Sequence, residues 1–158
     1  MKTINFAKRC FKEIVRDPIT LFFGLAFPLI LLLLLSAIQA NIPVELFIID
    51  NLAPGICVFG LSFMTLFSAN LIAKDKESEF LQRLYTTPMK SYNFILGYLI
   101  PLIPLSMLQS VICFLVSFTL GLDLTINIVY AVLLIIPIVI FFISLGLLCG
   151  GLLNVKQV

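Results

Sequence analysis

Residues 16–40 read RDPITLFFGLAFPLILLLLLSAIQA, and this stretch decides the fold. Asp17-Pro18 is followed by an uncharged, largely apolar run over residues 19–40. A helix needs about 20 apolar residues to cross a membrane. The run is longer than the apolar part of a cleaved secretion signal, which has roughly 7–15 residues. The stretch therefore predicts a retained transmembrane helix.

Three further apolar runs follow in the chain of 158 residues. Hydrophobic residues make up 61% of the sequence and charged residues 11%, whereas soluble domains average about 45–50% and 25%. The composition excludes a water-soluble domain. It predicts a single all-α integral membrane domain over residues 1–158, with spans at about 19–40, 53–73, 92–120 and 127–153.

The charged residues predict the orientation of these spans. The connections around residues 41–53 and 121–126 hold Glu45, Asp50 and Asp123 but no base. Short cytoplasmic loops keep Lys and Arg because moving them across the membrane is unfavourable. We therefore expect both termini and the loop 74–91 to be cytoplasmic. The bases on that side are Lys2, Lys8, Arg9, Lys12, Arg16, Lys74, Lys76, Arg83, Lys90 and Lys156.

Residues 2–16 predict an amphipathic helix that lies along the inner membrane surface. At about 100° per residue, apolar and basic side chains fall on different faces. Such a helix places its apolar face in acyl chains and its bases at anionic head groups. A basic flank with accidental periodicity is the alternative. The apolar face holds Ile4, Ala7, Cys10, Phe11, Ile14 and Val15, and the basic face holds Lys8, Arg9, Lys12 and Arg16.

Several kinds of chemistry are missing from the sequence. No charged residue lies within the four predicted spans, and the chain has no His. This argues against a proton-driven four-span exporter and a charge-lined ion pore, because both use charge inside the membrane. The four Cys form no C-x-x-C pair, so a zinc site is not expected. A Walker loop is also absent, so another subunit must supply energy for any transport.

Small residues predict two sites of close helix packing. Gly146-x-x-x-Gly150, together with Gly151, gives the fourth span a face without side chains, and Gly24-x-Ala26 does the same in the first span. Such spacings let helix backbones approach each other closely in membranes.

The polar loop between the second and third spans reads KDKESEFLQRLYTTP over residues 74–88. Its mixed charges predict a short helix from about Asp75 to Tyr85, with acidic residues early and Arg83 late, as the helix dipole favours. Phe80, Leu81 and Leu84 would lie on one side with Tyr85. In the cytosol this cluster would be a docking surface, and against the bilayer it would be an anchor. The residues alone leave both readings open.

The loop resembles that of type-2 ABC exporter permeases. The family pattern has a basic residue and acidic residues, then Leu, Arg-Leu and Thr-Pro, and a Gly about nine residues further on. The leader is also similar, with Arg16-Asp17-Pro18 before a span that contains Pro28. The chain departs from the pattern at Glu79-Phe80, where Gly-Thr is usual, and at Tyr98, where Lys often follows the Gly. The matching positions are Lys76, Glu77, Leu81, Arg83, Leu84, Thr87, Pro88 and Gly97.

This resemblance implies a membrane subunit of an ABC exporter in a bacterial plasma membrane. A second permease copy or a homologous permease would complete the path, and no nucleic acid is involved. Residues 2–16 would be the elbow helix, and the chain itself would bind no cofactor, because ATP and Mg²⁺ belong to a separate ATPase subunit. The loop 74–91 would contain the coupling helix that contacts this ATPase. The expected contact residues are Glu77, Phe80, Leu81, Arg83, Leu84, Thr87 and Pro88.

Permeases of that family have six spans and this sequence has four, which suggests a truncated or split gene product. A small four-span scaffold or immunity-type protein without transport activity is therefore the alternative function. The uncharged spans, rich in Phe and Leu, suggest an amphipathic or apolar cargo such as a drug, a lipid-linked molecule or a hydrophobic peptide.

Overall fold

The computed structural model describes residues 2–43, 47–78, 91–122 and 125–153. The regular structure in these ranges is helical, with no strand, so the predicted all-α class is confirmed. In chain order the elements are α1 (Lys2–Arg16), α2 (Pro18–Leu21), a π-helical segment (Phe22–Ala26), α3 (Phe27–Ala40), α4 (Ile49–Glu77), α5 (Ser91–Thr119) and α6 (Ile126–Leu152).

Four stretches are long and apolar enough to cross a membrane: Phe22–Ala40, Ile49–Glu77, Tyr92–Thr119 and Ile126–Leu152. They correspond to the four predicted spans. The second is longer than predicted at both ends, because its charged residues do not end the helix. Asp50 lies in its first turn, and Lys74 and Lys76 lie in its last turn. These positions suit the helix dipole, which favours acids at the start and bases at the end.

The first span differs from the single regular helix that the sequence predicts. Its π-helical segment, Phe22–Ala26, closes with a hydrogen bond from the Phe27 N–H to the carbonyl of Phe22. Pro28 lies two residues after this segment and has no N–H to donate. A π-helix accommodates one extra residue per turn. Such an extra residue cannot be detected from composition alone when the whole run is apolar.

α4 contacts α3, α5 and α6, and its contact with α6 is the most extensive. Gly146 of α6 lies so close to α4 that an added Cβ would collide with Ser68 and with the carbonyl of Thr65, and one at Gly150 would collide with the carbonyl of Ala69. Close packing at these two glycines is therefore confirmed. Beyond its own helix, no described residue lies within 4 Å of the Cβ position at Gly151, so the described residues do not place it on this face as predicted.

α1 lies beside the first half of α5 and buries Phe6, Cys10 and Ile14 in the core. At Gly97 of α5 the Phe6 ring occupies the space that a Cβ would need, so only glycine allows this approach. The end of the bundle that carries α1, the last turn of α4, the start of α5 and the end of α6 is called the basic end below.

Candidate functional site at the last turn of α4

The buried face of α4 continues to the end of the helix. Met64, Ser68 and Leu71 are buried at intervals of three or four residues, and Asp75 follows at the same interval. This spacing keeps the side chains on one helix face. This mostly apolar stripe thus ends on the carboxylate of Asp75 at the basic end. Only 1% of Asp75 is exposed.

Three hydrogen bonds hold the buried carboxylate of Asp75. Arg9 of α1 donates from Nη1 to Oδ2 at 3.0 Å and from Nη2 to Oδ1 at 2.6 Å. The Tyr98 hydroxyl of α5 donates to Oδ2 at 2.8 Å. A two-pronged arginine–carboxylate pair fixes orientation as well as charge. Asp75 therefore joins α4 to two other helices at one point.

The electrostatic cost of burying Asp75 is offset by this arrangement. A buried carboxylate needs a paired charge and satisfied hydrogen bonds, and Arg9 supplies the charge. The hydrogen bond to Asp75 raises the pKa of the Arg9 guanidinium above its usual value. Glu13 adds a second, more exposed contact, with its Oε2 3.2 Å from Arg9 Nη2.

Aromatic packing fixes α1 in the place where Arg9 reaches Asp75. The Phe6 ring lies edge-on to the Tyr98 ring with centroids 5.0 Å apart, and edge-on to Phe94 at 6.5 Å. Edge-to-face pairs are a favoured aromatic geometry. Because Gly97 gives Phe6 room, the Tyr98 hydroxyl and the Arg9 guanidinium converge on the same carboxylate.

The two lysines beside Asp75 contact other parts of the basic end. Lys74 Nζ lies 3.7 Å from Oδ2 of Asp17, in the joint between α1 and α2. Lys76 Nζ donates to the carbonyls of Gly151 at 3.2 Å and Leu153 at 3.4 Å, at the end of α6. A base near the last carbonyls of a helix complements its dipole. Three consecutive residues of α4 thus contact the α1–α2 joint, α1 and α5, and α6.

The predicted ATPase-contact residues fall mostly outside the described residues. Glu77 is the last residue of α4 and is exposed. The short helix predicted to begin at about Asp75 does not begin there, because α4 runs through that position to Glu77. The predicted contacts outside the described residues are Phe80, Leu81, Arg83, Leu84, Thr87 and Pro88.

The residues predicted for the elbow helix lie on three faces of α1. Ile14 is buried against the bundle, whereas Ile4 and Phe11 are exposed on an apolar strip. Lys8 and Lys12 are exposed on a basic strip. Arg9, which we expected on that strip, turns instead to Asp75. Half of the predicted apolar face therefore packs on protein rather than on lipid.

Our sequence reasoning missed Asp75 and Tyr98 as partners. In the sequence, Tyr98 stands out only as a departure from the family pattern, and Asp75 falls in the predicted loop. A usable signal existed in the periodicity of α4, because Ser68, Leu71 and Asp75 continue one buried face. Among the described residues, no cluster of three or more His, Cys, Asp or Glu could hold a metal ion. The arrangement is suited to positioning helices.

Comparison with known proteins places the chain in a family. The ABC-2 type transporter family matches residues 2–158. A protein of Porphyra purpurea that is described as a transport permease, ycf38, is 36% identical over 94 residues, covering 56% of this chain and 32% of the relative. The matched region thus spans about a third of that relative's length. No solved structure matches the chain at a significant level.

Four membrane-crossing helices joined at a charged end define a multi-pass membrane protein. Because the family match covers nearly the whole sequence, the chain belongs to the ABC-2 type transporter family. The predicted family resemblance is confirmed.

Proposed function

We propose that this chain forms part of the membrane path of an ABC exporter and is driven by a separate ATPase subunit that binds ATP and Mg²⁺. The loop 74–91 would contact that subunit. The contact would use the residues expected from the sequence: Glu77, Phe80, Leu81, Arg83, Leu84, Thr87 and Pro88.

The observation that carries this proposal is the connection of the last turn of α4 to the rest of the bundle. α4 leads directly into the loop, and Lys74, Asp75 and Lys76 contact Asp17, two neighbouring helices and the end of α6, respectively. A push on the loop would therefore act on several helices together. Coupling between distant sites requires such packed, hydrogen-bonded contacts.

The proposal also places the protein in its membrane. The basic end would lie in the cytoplasm of a bacterial cell, at the plasma membrane, because Lys and Arg are retained on that side. α1 would lie at the interface, with the exposed Ile4, Phe11 and Val15 in acyl chains and its basic strip at the head groups. A second permease would complete the path.

Purification of the tagged chain from its native membranes tests the ATPase partnership. We expect an ABC ATPase subunit to co-purify, and Leu84→Asp to reduce its recovery at least about tenfold, because a charge in the centre of an apolar contact typically costs more than 1.4 kcal/mol.

Leu153→Asp is the matched control, since Leu153 also lies at the basic end but outside the loop. Recovery of the ATPase with this variant should equal that of the parent chain. If Leu84→Asp retained the ATPase fully, the contact assignment would be wrong. If no ATPase co-purified even with the parent chain, a four-span scaffold without transport activity would become the better interpretation.

A further inference from the structure

A crevice of about 390 Å³ lies between the end of α1, the π-helical segment and α4. Its size is within the range of roughly 300–1,000 Å³ found for ligand-binding clefts. Glu13, Asp17 and Lys74 line one end, and Phe23, Phe63 and Phe67 line the part farther from the basic end. The crevice is therefore polar at the basic end and aromatic toward the middle of the bundle.

The length of the crevice matches one leaflet of a bilayer. Its lining on α4 extends from Lys74 to Phe63. Eleven residues at a helical rise of 1.5 Å correspond to about 16 Å. Half of a hydrocarbon core of about 30 Å is about 15 Å. An acyl chain that entered beside Lys74 could thus follow α4 to the bilayer centre.

A wider basin adjoins the polar end of the crevice. The basin has a volume of about 970 Å³ and shares Glu13, Asp17 and Lys74 with the crevice. Its lining has an excess of bases over acids: Lys8, Arg9, Lys12, Arg16 and Lys74 against Glu13 and Asp17. Lys8, Lys12 and Arg16 project from α1 and form no ion pair with a described residue. The basin therefore favours an anion.

Apolar walls below a basic rim select a ligand that is apolar at one end and anionic at the other. We propose that the crevice holds an anionic phospholipid of the leaflet at the basic end. One acyl chain lies along α4 against Phe23, Phe63 and Phe67, and the phosphate lies in the basin near Lys74, Lys12 and Arg16. The site adjoins the Asp75 cluster, because Arg9 lines the basin, whereas Asp75 itself lines neither cavity.

A bound lipid would connect α1 to α4 in addition to the protein contacts. Phe6 and Ile14 anchor α1 to the bundle, and Arg9 ties it to α4. The lipid would fill the remaining gap between α1 and the π-helical segment. Membrane composition would then influence how firmly α1 is held, independently of any ATPase.

Tryptophan fluorescence can test the site because the chain contains no Trp. Phe63→Trp places a reporter in the crevice. Phe141→Trp is the matched control, since Phe141 is 62% exposed on α6 and is eleven residues from Leu152, as Phe63 is from Lys74. Both variants are reconstituted in equal mixtures of phosphatidylglycerol and phosphatidylcholine, with bromine on the acyl chains of one lipid at a time.

Brominated phosphatidylglycerol should quench the crevice reporter more strongly than brominated phosphatidylcholine. We expect a preference of about fivefold or more, which is the factor that one base near an anionic surface contributes. The control reporter should show no preference. The double variant Lys12→Gln/Arg16→Gln, in the Phe63→Trp background, should lower the preference severalfold, as should high salt. Lys76→Gln removes a base that lines neither cavity and should leave the preference unchanged.

Three outcomes would overturn the proposal. Equal quenching of the crevice reporter by both lipids would indicate ordinary lipid contact. A phosphatidylglycerol preference at both reporters would indicate general enrichment around the protein. If Phe141→Trp were quenched but Phe63→Trp were quenched by neither lipid, then protein, such as a second copy of the chain, would fill the crevice. None of these results depends on whether an ATPase subunit binds.

Discussion

α4 is held to its neighbours in two different ways. On its α6 side it packs through Gly146 and Gly150, which bring the two backbones into direct contact. At the basic end it is held through the long side chains of Arg9 and Tyr98, which reach Asp75. The first contact depends on the absence of side chains, and the second depends on their charge and hydrogen bonds.

The difference between these two contacts indicates which part of the molecule can move. Close-packed backbones have few alternative arrangements, because packed interfaces resist continuous deformation. A fork of hydrogen bonds can release and form again, especially where the Arg9 side chain is 39% exposed to solvent. We infer that α4 and α6 move as one unit, and that α1 can change position relative to this unit at Asp75.

Breaking the close contact should have the largest effect. Gly146→Val places a branched side chain where even a Cβ would meet the carbonyl of Thr65 and the hydroxyl of Ser68. Because the obstruction includes backbone, we expect a loss of about 4 kcal/mol or more in the free energy of unfolding, which would leave little folded protein in detergent. Size-exclusion profiles and thermal unfolding of the purified chain measure this.

Gly151→Val is the control for that substitution. It makes the same change on the same helix, but no other helix in the described ranges comes within 4 Å of the Cβ position at Gly151. Its profile and melting temperature should stay near those of the parent chain. Equal loss in both variants would show that helix propensity, rather than contact with α4, determines the effect.

Breaking the charged contact should have an intermediate effect. Arg9→Ala leaves the carboxylate of Asp75 buried, with Tyr98 as its remaining hydrogen-bond donor among the described side chains. An uncompensated buried charge is costly, although partial exposure of Arg9 reduces the loss. We expect a loss of about 2–3 kcal/mol in the free energy of unfolding, measured by thermal unfolding. Lys12→Ala, which removes an exposed base from the same helix, should cost less than about 0.5 kcal/mol.

Cys10 reports on the same contact from inside α1. Its thiol is fully buried, and burial raises its pKa from 9.0 to about 12. At pH 8 the thiolate of Cys10 is thus about a thousandfold scarcer than that of an ordinary thiol. Alkylation requires the thiolate. In a Cys149→Ala background, maleimide should therefore label the chain very slowly.

Arg9→Ala should accelerate this labelling if the charged contact is the one that opens. Gly151→Val should not change it. Rapid labelling of Cys10 before any substitution would show that α1 is not docked on α5. An unchanged rate in Arg9→Ala would show that Phe6 and Ile14 hold α1 in place without the ion pair.

The sequence predicts the two contacts unequally for a physical reason. Local patterns within single helices are enough to predict the number of spans, the glycine packing and the extent of α1, because each depends on apolar runs and residue spacings. The Asp75 cluster joins residues 66 positions apart in the chain, so its partners depend on how three helices are arranged. The π-helical segment was missed because an extra residue in a fully apolar run leaves the composition unchanged.

The smallest effect separates hydrogen bonding from close packing within the α4–α6 contact. The Thr65 hydroxyl donates to the carbonyl of Phe142 in α6 at 3.1 Å, and Thr65→Val keeps the shape but removes this bond. Hydrogen bonds between membrane helices average about 0.6 kcal/mol, so we expect a loss of that size in thermal unfolding.

Thr119→Val is the control, because the Thr119 hydroxyl bonds only within its own helix. A loss several times larger than about 0.6 kcal/mol, with the control unchanged, would mean that polar contacts, rather than the glycines, hold α4 to α6. The contrast between the α6 contact of α4 and its contact through Asp75 would then be one of degree.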